Sequence, residues 1–261
     1  MKQNIIIKCG KSSFRFVWEK MFKKEQKRDD WRGTFIEDDW KTYSEMNTRR
    51  EFTIREEYLF PCTLDKDSTN SGMNAYFWMD LWGAKHVISN AVKEHWDIGS
   101  RVDGFIAHLL AANIKVNVID VRPFAGEAEN LYTIVDDATM LKQFEEDSIS
   151  SLSALCSLEH FGLGRYGDPV DPEACFKCFE QIQKKLKGGG KLYISLPIGQ
   201  DRVEFNAHRV FYASTVIKCF NKLKLLEYSV IDGNKILYDV DINKYDSYAH
   251  EHVTGLFMFE K

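Results

Sequence analysis

From residue 75 to the end, the apolar residues of this chain follow two alternating spacings. Spacings of three and four residues place apolar side chains on one face and predict helices. The segments with this spacing are 77–91, 105–110, 172–186 and 214–222. Asp103 stands where the second helix would take its N-cap, and Pro172 is expected as the first residue of the third. The triple glycine at 188–190 is expected to end that third helix.

Short apolar and β-branched runs between these helices predict strands. One strand ends at Asp97, and six further runs lie at 116–120, 131–135, 149–155, 191–196, 225–232 and 253–260. Strands that alternate with helices form a mostly parallel sheet covered on both faces. Since no helix separates the last two runs, we expect them to pair antiparallel. The prediction is an α/β fold with seven strands and an antiparallel last strand.

Residues 1–74 differ in composition from the rest of the chain. They predict a separate helical or irregular extension before a domain at 75–261. They are dense in charged and aromatic residues and end in a polar stretch that resembles a linker. Apolar residues within 14–28 share one helical face, bordered by lysines and an arginine. Such a basic helix can bind a membrane or RNA, or it can pack on the body with a solvated basic face. Acidic residues at 29–39 cancel its local field.

Composition restricts the classes of partner. The chain is 44% hydrophobic and 13% aromatic, as folded globular proteins are. Its 35 basic and 39 acidic residues give a net charge of −4, so no overall field attracts nucleic acid. The six cysteines lack the spacing of a disulfide scaffold, and no apolar run reaches membrane-spanning length. We therefore expect a cytoplasmic protein without a membrane span.

Residues 97–122 carry the strongest chemical signal. Gly99 and Gly104 lie in a loop between a strand and a helix, where backbone amides can approach a ligand closely. Asp120 ends the next strand about 20 residues after Gly99, where nucleotide-binding folds place an acid that accepts from ribose hydroxyls. An ordinary glycine turn between two strands would show the same pattern.

Three separated segments are similar to class I S-adenosylmethionine-dependent methyltransferases. Residues 97–100 (Asp-Ile-Gly-Ser) resemble the first motif of that family, and Asp120 and Asp137-Ala138 follow the second and third strands as in the family. The passage 179–197 resembles the family's leader helix, Lys-x-Gly-Gly-x-Leu, strand and proline. A nicotinamide-dependent oxidoreductase would share the first two features but has no reason to carry the third. The resemblance implies a Rossmann-like sheet.

Segments 97–104, 159–168 and 205–209 more narrowly resemble a poorly characterised methyltransferase-like family of unknown function. The chain departs from the wider family at Arg101, where a glycine is usual, and at Gly104, which comes one place late. These departures leave open a non-catalytic module that kept the fold and lost its affinity for the cofactor.

The resemblance implies S-adenosylmethionine as cofactor, bound at the carboxyl ends of the strands. Asp97 would contact the methionine end through the ammonium or a bridging water, Asp120 the ribose and Asp137 the adenine amino group. The full set implied in cofactor binding is Asp97, Gly99, Ser100, Asp120, Val121, Asp137, Ala138, Leu155 and Ser157.

The loop 159–168 contains the side chains that methyl transfer to a hydroxyl would need. The transfer is an in-line displacement, and a hydroxyl nucleophile must lose its proton. His160 is the expected base because an unperturbed imidazole has a pKa near ~6.5. The catalytic candidates are Glu159, His160, Arg165 and Asp168. Alternatively, His160 caps a strand end, and Arg165 and Asp168 form a structural ion pair.

A second polar cluster follows the fifth strand and suits an anionic or polyhydroxylated acceptor, although a charged surface loop would look the same. The acceptor-binding candidates are Tyr166, Asp201, Asn206, His208 and Arg209. Cys175 and Cys178 share a helical face with apolar residues, which favours core over zinc. His250 and His252 lack an evident third ligand, so no metal is assigned. We expect O-methylation of a small polar acceptor, such as a sugar or metabolite.

Overall fold

The computed structural model describes residues 31–61 and 73–261. The chain divides into two compact units, residues 1–72 and 73–261. The basic helix expected within 14–28 lies outside the described residues. None of the helices within the two described ranges has the length and apolar character needed to cross a membrane.

The described part of the first unit consists of one helix and two short turns. Helix α1 spans Phe35–Met46, and the Thr34 hydroxyl caps it by accepting from the Ile36 amide at 3.3 Å. Single 3₁₀ turns follow at Arg50–Phe52 and Glu56–Tyr58. No residue of α1 is fully buried, but Phe35, Ile36 and Trp40 are half-buried, and the Trp40 ring lies 5.4 Å from that of Trp31.

The second unit is built on a large sheet. Its strands are β1 (Glu94–Ile98), β2 (Lys115–Asp120), β3 (Leu131–Val135), β4 (Ile149–Leu155), β5 (Leu186–Ile198), β6 (Arg202–Glu204), β7 (His208–Val210), β8 (Lys224–Asp232), β9 (Lys235–Leu237) and β10 (Val253–Glu260). Eight of them form one sheet in the order β3-β2-β1-β4-β5-β10-β8-β9, and β6 and β7 form a separate hairpin.

Strands β1 to β5 pair in parallel, and β10 lies antiparallel between β5 and β8. The predicted α/β class and the antiparallel pairing of the last two predicted strands are confirmed. The sheet has eight strands instead of seven because the short β9 folds back on β8. Its three residues are too few for the sequence pattern to separate them from a loop.

Helices cover both faces of the sheet, as predicted. They are α2 (Ala75–Ser89), α3 (Ala107–Ala111), α4 (Ala174–Lys185) and α5 (Ala213–Cys219), and a π-helical turn at Val102–Ile106 leads into α3. Leu192 and Ile194 of β5 join the core beneath α4 and α5, whereas Tyr193 joins the core beneath α2 and α3. This alternation is what a strand with both faces buried requires.

Three helix-boundary predictions were wrong. Pro172 is not the first residue of α4, because residues 172 and 173 form a turn and the helix begins at Ala174. Asp103 is not an N-cap, because the π-helical turn begins beside it and its carboxylate instead accepts from the Arg101 Nε at 3.1 Å. The glycines at 188–190 do not end α4, which already stops at Lys185. They lie within β5, where the pairing with β4 shifts by a bulge. A Cβ at Gly190 would lie 2.8 Å from the Ile149 carbonyl oxygen, so only glycine fits there.

Candidate functional site

A cavity opens at the carboxyl ends of β1, β2 and β4, where open α/β sheets bind ligands. We call it the strand-end cavity. Its walls are formed by Ile98, Gly99, Ile119, Asp120, Val121, Arg122, Asp136, Ala138, Cys156, Ser157, His160, Phe161 and Tyr166. Five of the predicted cofactor residues lie in this wall, namely Gly99, Asp120, Val121, Ala138 and Ser157. The structure therefore brings together four segments that are separate in sequence, those that follow β1, β2, β3 and β4.

Gly99 gives the loop after β1 its close approach to β4. Its φ is +69°, a conformation that other residues rarely adopt. A Cβ at this position would lie 2.9 Å from the Ser157 hydroxyl, which itself donates to the Ile98 carbonyl at 2.6 Å. A side chain at residue 99 would therefore disturb both the loop and the end of β4.

Asp97 lies beneath this loop and not on the cavity wall. Its carboxylate accepts from the Ser100 amide at 2.8 Å, from the Ser100 hydroxyl at 2.7 Å and from the Ser153 hydroxyl. Burial raises the pKa of Asp97 to about 6. Because both oxygens are used internally, Asp97 and Ser100 hold the loop in place. The contact of Asp97 with the methionine end, through the ammonium or a bridging water, stays a prediction.

His95, an unusual residue for a strand interior, belongs to the same buried network. Its Nδ1 lies 2.7 Å from the Ser151 hydroxyl and its Nε2 lies 2.8 Å from the Ser153 hydroxyl. Since Ser153 gives its proton to Asp97, His95 must donate from Nε2 and accept at Nδ1. Burial lowers the pKa of His95 to about 3, so the imidazole stays neutral. The network fixes β1 and β4 directly below the cavity.

Asp120 ends β2 at the cavity wall, as predicted for a ribose acceptor, but it already has a partner. Arg122 donates its backbone amide and its Nε to Oδ1 at 2.8 and 2.9 Å, and a terminal nitrogen to Oδ2 at 2.8 Å. The Tyr166 ring stacks on the Arg122 guanidinium, with 4.4 Å between the guanidinium carbon and the ring centre. A ligand that uses Asp120 must share or displace this arginine.

Two acids, Asp136 and Asp137, follow the third strand, and they line different cavities. Asp136 lines the strand-end cavity together with the buried Ala138. Asp137 lines a neighbouring cavity instead, and its carboxylate accepts from the Thr139 amide at 2.9 Å. Sequence reasoning selected Asp137 and missed Asp136, although the two adjacent acids are visible in the sequence.

Another cavity, separate from the one that Asp137 lines, adjoins the strand-end cavity, and we call it the histidine cavity. It is lined by Ala75, Tyr76, Met79, Gly99, Arg101, Arg122, Leu155, Cys156, Glu159, His160, Arg165, Tyr166, Pro197, His208, His252 and Thr254. Gly99, Arg122, Cys156, His160 and Tyr166 border both cavities. Two ligands bound side by side would therefore meet at this shared wall, and Leu155 faces the second of them.

His160 is oriented for proton transfer. Its Nδ1 lies 2.6 Å from the Ala207 carbonyl oxygen, which can only accept, so Nδ1 carries the proton. Nε2 is then the free lone pair. Burial lowers the pKa of His160 to about 4, which keeps the ring uncharged near neutral pH. The ring is thus held by the backbone in a form that can accept a proton.

Glu159 is buried beside His160. Burial raises the pKa of Glu159 to about 8, and its Oε2 makes no hydrogen bond among the described residues. Its Oε1 lies 3.7 Å from His160 Nε2, beyond hydrogen-bond distance. Both groups are uncharged near neutral pH, so their contact is not an ion pair. It would become one if a proton moved onto His160 and Glu159 lost its own.

The other two catalytic candidates have different surroundings. Arg165 lines the histidine cavity and donates to the Ala207 carbonyl at 3.1 Å. Asp168 instead closes its own loop, accepting from the Gly162 amide at 2.7 Å and the Tyr166 amide at 3.2 Å. Neither contact is the predicted alternative, an ion pair between Arg165 and Asp168. Asp168 therefore shapes the loop that carries Tyr166.

The predicted acceptor residues do not come together as a group. Asp201 accepts from the Tyr212 amide at 2.6 Å and the Thr215 hydroxyl at 2.7 Å, which caps α5. The buried Arg209 donates to the Phe161 carbonyl at 2.6 Å and holds the 159–172 segment. Asn206 is exposed between β6 and β7. Only Tyr166 and His208 of this set line the histidine cavity, whereas Asp201 and Arg209 hold neighbouring loops in place.

His208 is also part of a cluster that sequence reasoning missed. Glu204, His208 and His252 each offer one ligand atom, and these atoms lie within 4.8 Å of one another. Glu204 and His208 lie on β6 and β7, distant in sequence from His252. His250, which the sequence paired with His252, is not a member. The CxxC cysteines Cys175 and Cys178 are fully buried in the core, as predicted.

Comparison with known proteins places this geometry in context. Residues 117–235 match the model of a family described as "Caenorhabditis protein of unknown function, DUF268". The second unit has the fold of class I S-adenosylmethionine-dependent methyltransferases. No curated protein matches the chain.

Two solved structures illustrate the likeness. One is the Burkholderia thailandensis 1,6-didemethyltoxoflavin-N1-methyltransferase, with a TM-score of 0.50 and 14% identity over 70% of this chain and 78% of that chain. The other is the [4+2]-cyclase SpnF, with a TM-score of 0.53 and 12% identity over 77% of this chain and 89% of that chain. Since a methyltransferase and a cyclase are both similar, the reaction has to be argued from the site.

Proposed function

We propose that this protein is an S-adenosylmethionine-dependent methyltransferase that methylates a hydroxyl oxygen of a small polar acceptor, such as a sugar or another metabolite. The observation that carries the proposal is the position of His160. Its ring lies on the wall shared by the two cavities, and its Nε2 lone pair is free because Nδ1 is held by the Ala207 carbonyl. A base at this wall can reach an acceptor hydroxyl where cofactor and acceptor would meet.

The strand-end cavity fits the cofactor by its chemistry. Because Gly99 has no side chain, the loop after β1 lies close to Ser157 without filling the cavity. Asp120 presents a carboxylate at the end of β2. We assign Asp120 to the ribose hydroxyls, and Asp136, Val121 and Ala138 to the adenine side. When bound, the cofactor supplies an electrophilic methyl group on its sulfonium. Asp97 and Ser100 support the loop from below.

His160 would take the proton of the acceptor hydroxyl on Nε2. The imidazole is already neutral near neutral pH, so no prior deprotonation is needed. Its low pKa also makes it a weak base in the unliganded protein. Glu159 offsets this weakness once its carboxyl, which lines the histidine cavity, has released its proton to solvent, because the carboxylate beside Nε2 then stabilises the imidazolium that forms. The pair therefore works through coupled protonation.

The lining of the histidine cavity suits a polar acceptor. Tyr76, Arg101, Arg165 and His208 place hydroxyl, guanidinium and imidazole groups along its walls. Arg101 is paired with Asp103, whereas the Arg165 guanidinium donates to a neutral carbonyl. An acceptor with several hydroxyls or an anionic oxygen can therefore be recognised by Arg165.

A non-catalytic module with the same fold is the second candidate. The specific observation that favours it is the pairing of Asp120 with Arg122, which occupies the carboxylate assigned to ribose. Arg101 in place of the family's usual glycine points the same way. The two candidates differ in whether the cofactor is bound and consumed.

The test is acceptor-dependent formation of S-adenosylhomocysteine, measured by mass spectrometry with panels of sugars, hydroxylated metabolites and amines. We expect turnover with a hydroxyl acceptor and a loss of about 10²–10⁴-fold in His160→Ala, with cofactor affinity retained. His108→Ala, an exposed histidine on α3, is the matched control and should retain full turnover. Turnover with amines alone would contradict oxygen methylation. No binding of the cofactor, together with no turnover on any panel member, would favour the non-catalytic candidate.

The free cysteines of the described residues agree with the expected cytoplasmic location. The cysteines at 156, 175, 178 and 219 are all free thiols. Free buried thiols persist in reducing compartments. We therefore include the cytoplasm in the proposal as the place where this protein works.

A further inference from the structure

We infer that Glu204, His208 and His252 bind a divalent transition-metal cation of the zinc class at the wall of the histidine cavity. Two imidazoles and one carboxylate are a donor set that zinc uses at catalytic sites, where three protein ligands leave an open coordination position. The three residues come from two separate parts of the chain, the β6–β7 hairpin and the residue directly before β10.

The three ligand atoms already converge. His208 Nε2 lies 3.0 Å from Glu204 Oε2, and all three atoms lie within 4.8 Å of one another. Bonds of about 2.0–2.1 Å to a tetrahedral zinc place two ligand atoms about 3.3 Å apart. Small side-chain rotations would therefore bring His252 to that spacing, with no movement of the backbone.

The carboxylate of Glu204 is held ready for such a role. Arg202 donates from Nε and a terminal nitrogen to Oε1 at 2.9 and 2.6 Å, which leaves Oε2 directed at His208. Arg202 is itself anchored, since it donates to the backbone carbonyls of Gln200 and Glu251, each at 3.2 Å. Metal-binding carboxylates are commonly oriented by a second hydrogen-bonded group in this way.

The imidazole of His208 lacks a partner of its own. Its Nε2 is buried and makes no hydrogen bond within residues 31–61 and 73–261, although Glu204 Oε2 is close. The two atoms are near each other without hydrogen-bond geometry, as two ligands of one ion would be. A buried polar atom without a partner is unfavourable, and a metal bond would satisfy it. The exposed His252 ring, 5.0 Å from His208, leaves a path for the cation.

The location gives the cation a chemical role, and this part rests on the proposed function. The His160 and His208 rings are 6.3 Å apart across the same cavity. A cation at the cluster that expands from four to five ligands could bind two neighbouring oxygens of an acceptor, such as a vicinal diol. It would lower the pKa of the bound hydroxyl, and the proton would pass to His160 Nε2. The acceptor class is then a chelating polyol or hydroxy acid.

The test uses the full chain, stripped of metal with a chelator and dialysed, with Zn²⁺ alone as the probe. Calorimetry with a competing chelator should show one tight equivalent in the wild type. His252→Ala and Glu204→Gln should each weaken this binding at least tenfold. His250→Ala changes a nearby histidine outside the cluster and should leave the affinity within twofold. Because His252 is exposed, His252→Ala is expected to fold normally, which circular dichroism without zinc will verify.

Equal zinc affinity in the wild type and both ligand variants would overturn the site, as would the absence of binding in the wild type. S-adenosylhomocysteine is titrated separately into the chelator-treated protein. Zinc binding that His252→Ala abolishes supports the site even if S-adenosylhomocysteine fails to bind. In that case the methyltransferase proposal and the acceptor role of the metal would fall, and the metal site would stand.

Discussion

Removing the carboxylate of Asp120 tests the ribose contact, and the structure sets up a sharp comparison with Arg122. Asp120 ends β2 with its side chain only 8% exposed, and Arg122 holds both of its oxygens. If Asp120 binds ribose, Asp120→Ala removes the acceptor itself. If Asp120 only positions Arg122, then Asp120→Ala and Arg122→Ala should weaken cofactor binding equally.

The magnitude follows from the type of hydrogen bond. Loss of hydrogen bonds to a charged group costs about 1.5–3 kcal/mol, which corresponds to about 10- to 150-fold in the dissociation constant of S-adenosylhomocysteine. The Arg122 side chain is 53% exposed, so its pair with Asp120 contributes about 0–1 kcal/mol to stability. The fold should therefore survive either substitution, with a melting temperature within about 4 °C of the wild type.

Calorimetric titration of S-adenosylhomocysteine into the wild type, both single variants and the double variant decides the question. We expect Asp120→Ala and the double variant to be equally weak. Arg122→Ala should bind as well as the wild type or up to about fivefold more tightly, since a competing partner of about 1 kcal/mol is gone. Unchanged affinity in Asp120→Ala refutes the ribose contact. Equal losses in both single variants, with no further loss in the double, assign Asp120 to positioning Arg122.

Two further substitutions test the loop and the network that supports it. Gly99→Ala should lower stability and cofactor affinity by more than the control Gly233→Ala. Gly233 has a similar φ of +62°, but a Cβ there would meet open space. Equal losses in the two variants would mean that the contact with Ser157 is unimportant. Below pH 6.5 an unfolded chain protonates His95, whereas the folded chain does not until about pH 3, so His95 reduces stability as the pH falls. The cost of His95→Gln in unfolding free energy should therefore shrink by about 1.4 kcal/mol per pH unit from pH 6.5 towards 4, and denaturant titrations showing a constant cost would contradict this. The raised pKa of Asp97 acts in the opposite sense between about pH 6 and 4, so the comparison is made as a difference between variant and wild type.

The order of helices and strands could be predicted because each element has its own apolar period. The α2 helix shows the limit of this reasoning. The pattern that predicts it consists of Phe77, Leu81, Ala84, Ile88 and Ala91. Of these only Ala84 is buried, and the buried face includes Met79 and Val87 as well. Apolar residues surround α2 on most sides, so spacing alone does not say which face meets the sheet.

Side-chain roles were harder to predict because they depend on partners that are distant in sequence. His160 is oriented by the carbonyl of Ala207, 47 residues later. Arg209 resembles a ligand-binding residue in sequence, but three backbone carbonyls take its guanidinium. The cluster of Glu204 with His252 forms where Arg202 of β6 donates to the Glu251 carbonyl, which joins the β6–β7 hairpin to the segment before β10. No local pattern encodes these contacts, whereas Gly99 and Asp120 were found because a strand end and a loop define them locally.

The central claim is that the strand-end cavity binds the methyltransferase cofactor, and the melting temperature of the full chain with added nucleotides tests it most directly. S-adenosylhomocysteine at about 100 times its dissociation constant should add about 2.7 kcal/mol, which raises the melting temperature by about 5–11 °C. NAD and NADP at the same concentration should leave it unchanged. A shift with NAD alone would contradict the account in favour of a nicotinamide-dependent oxidoreductase, and no shift with any of the three would contradict cofactor binding altogether.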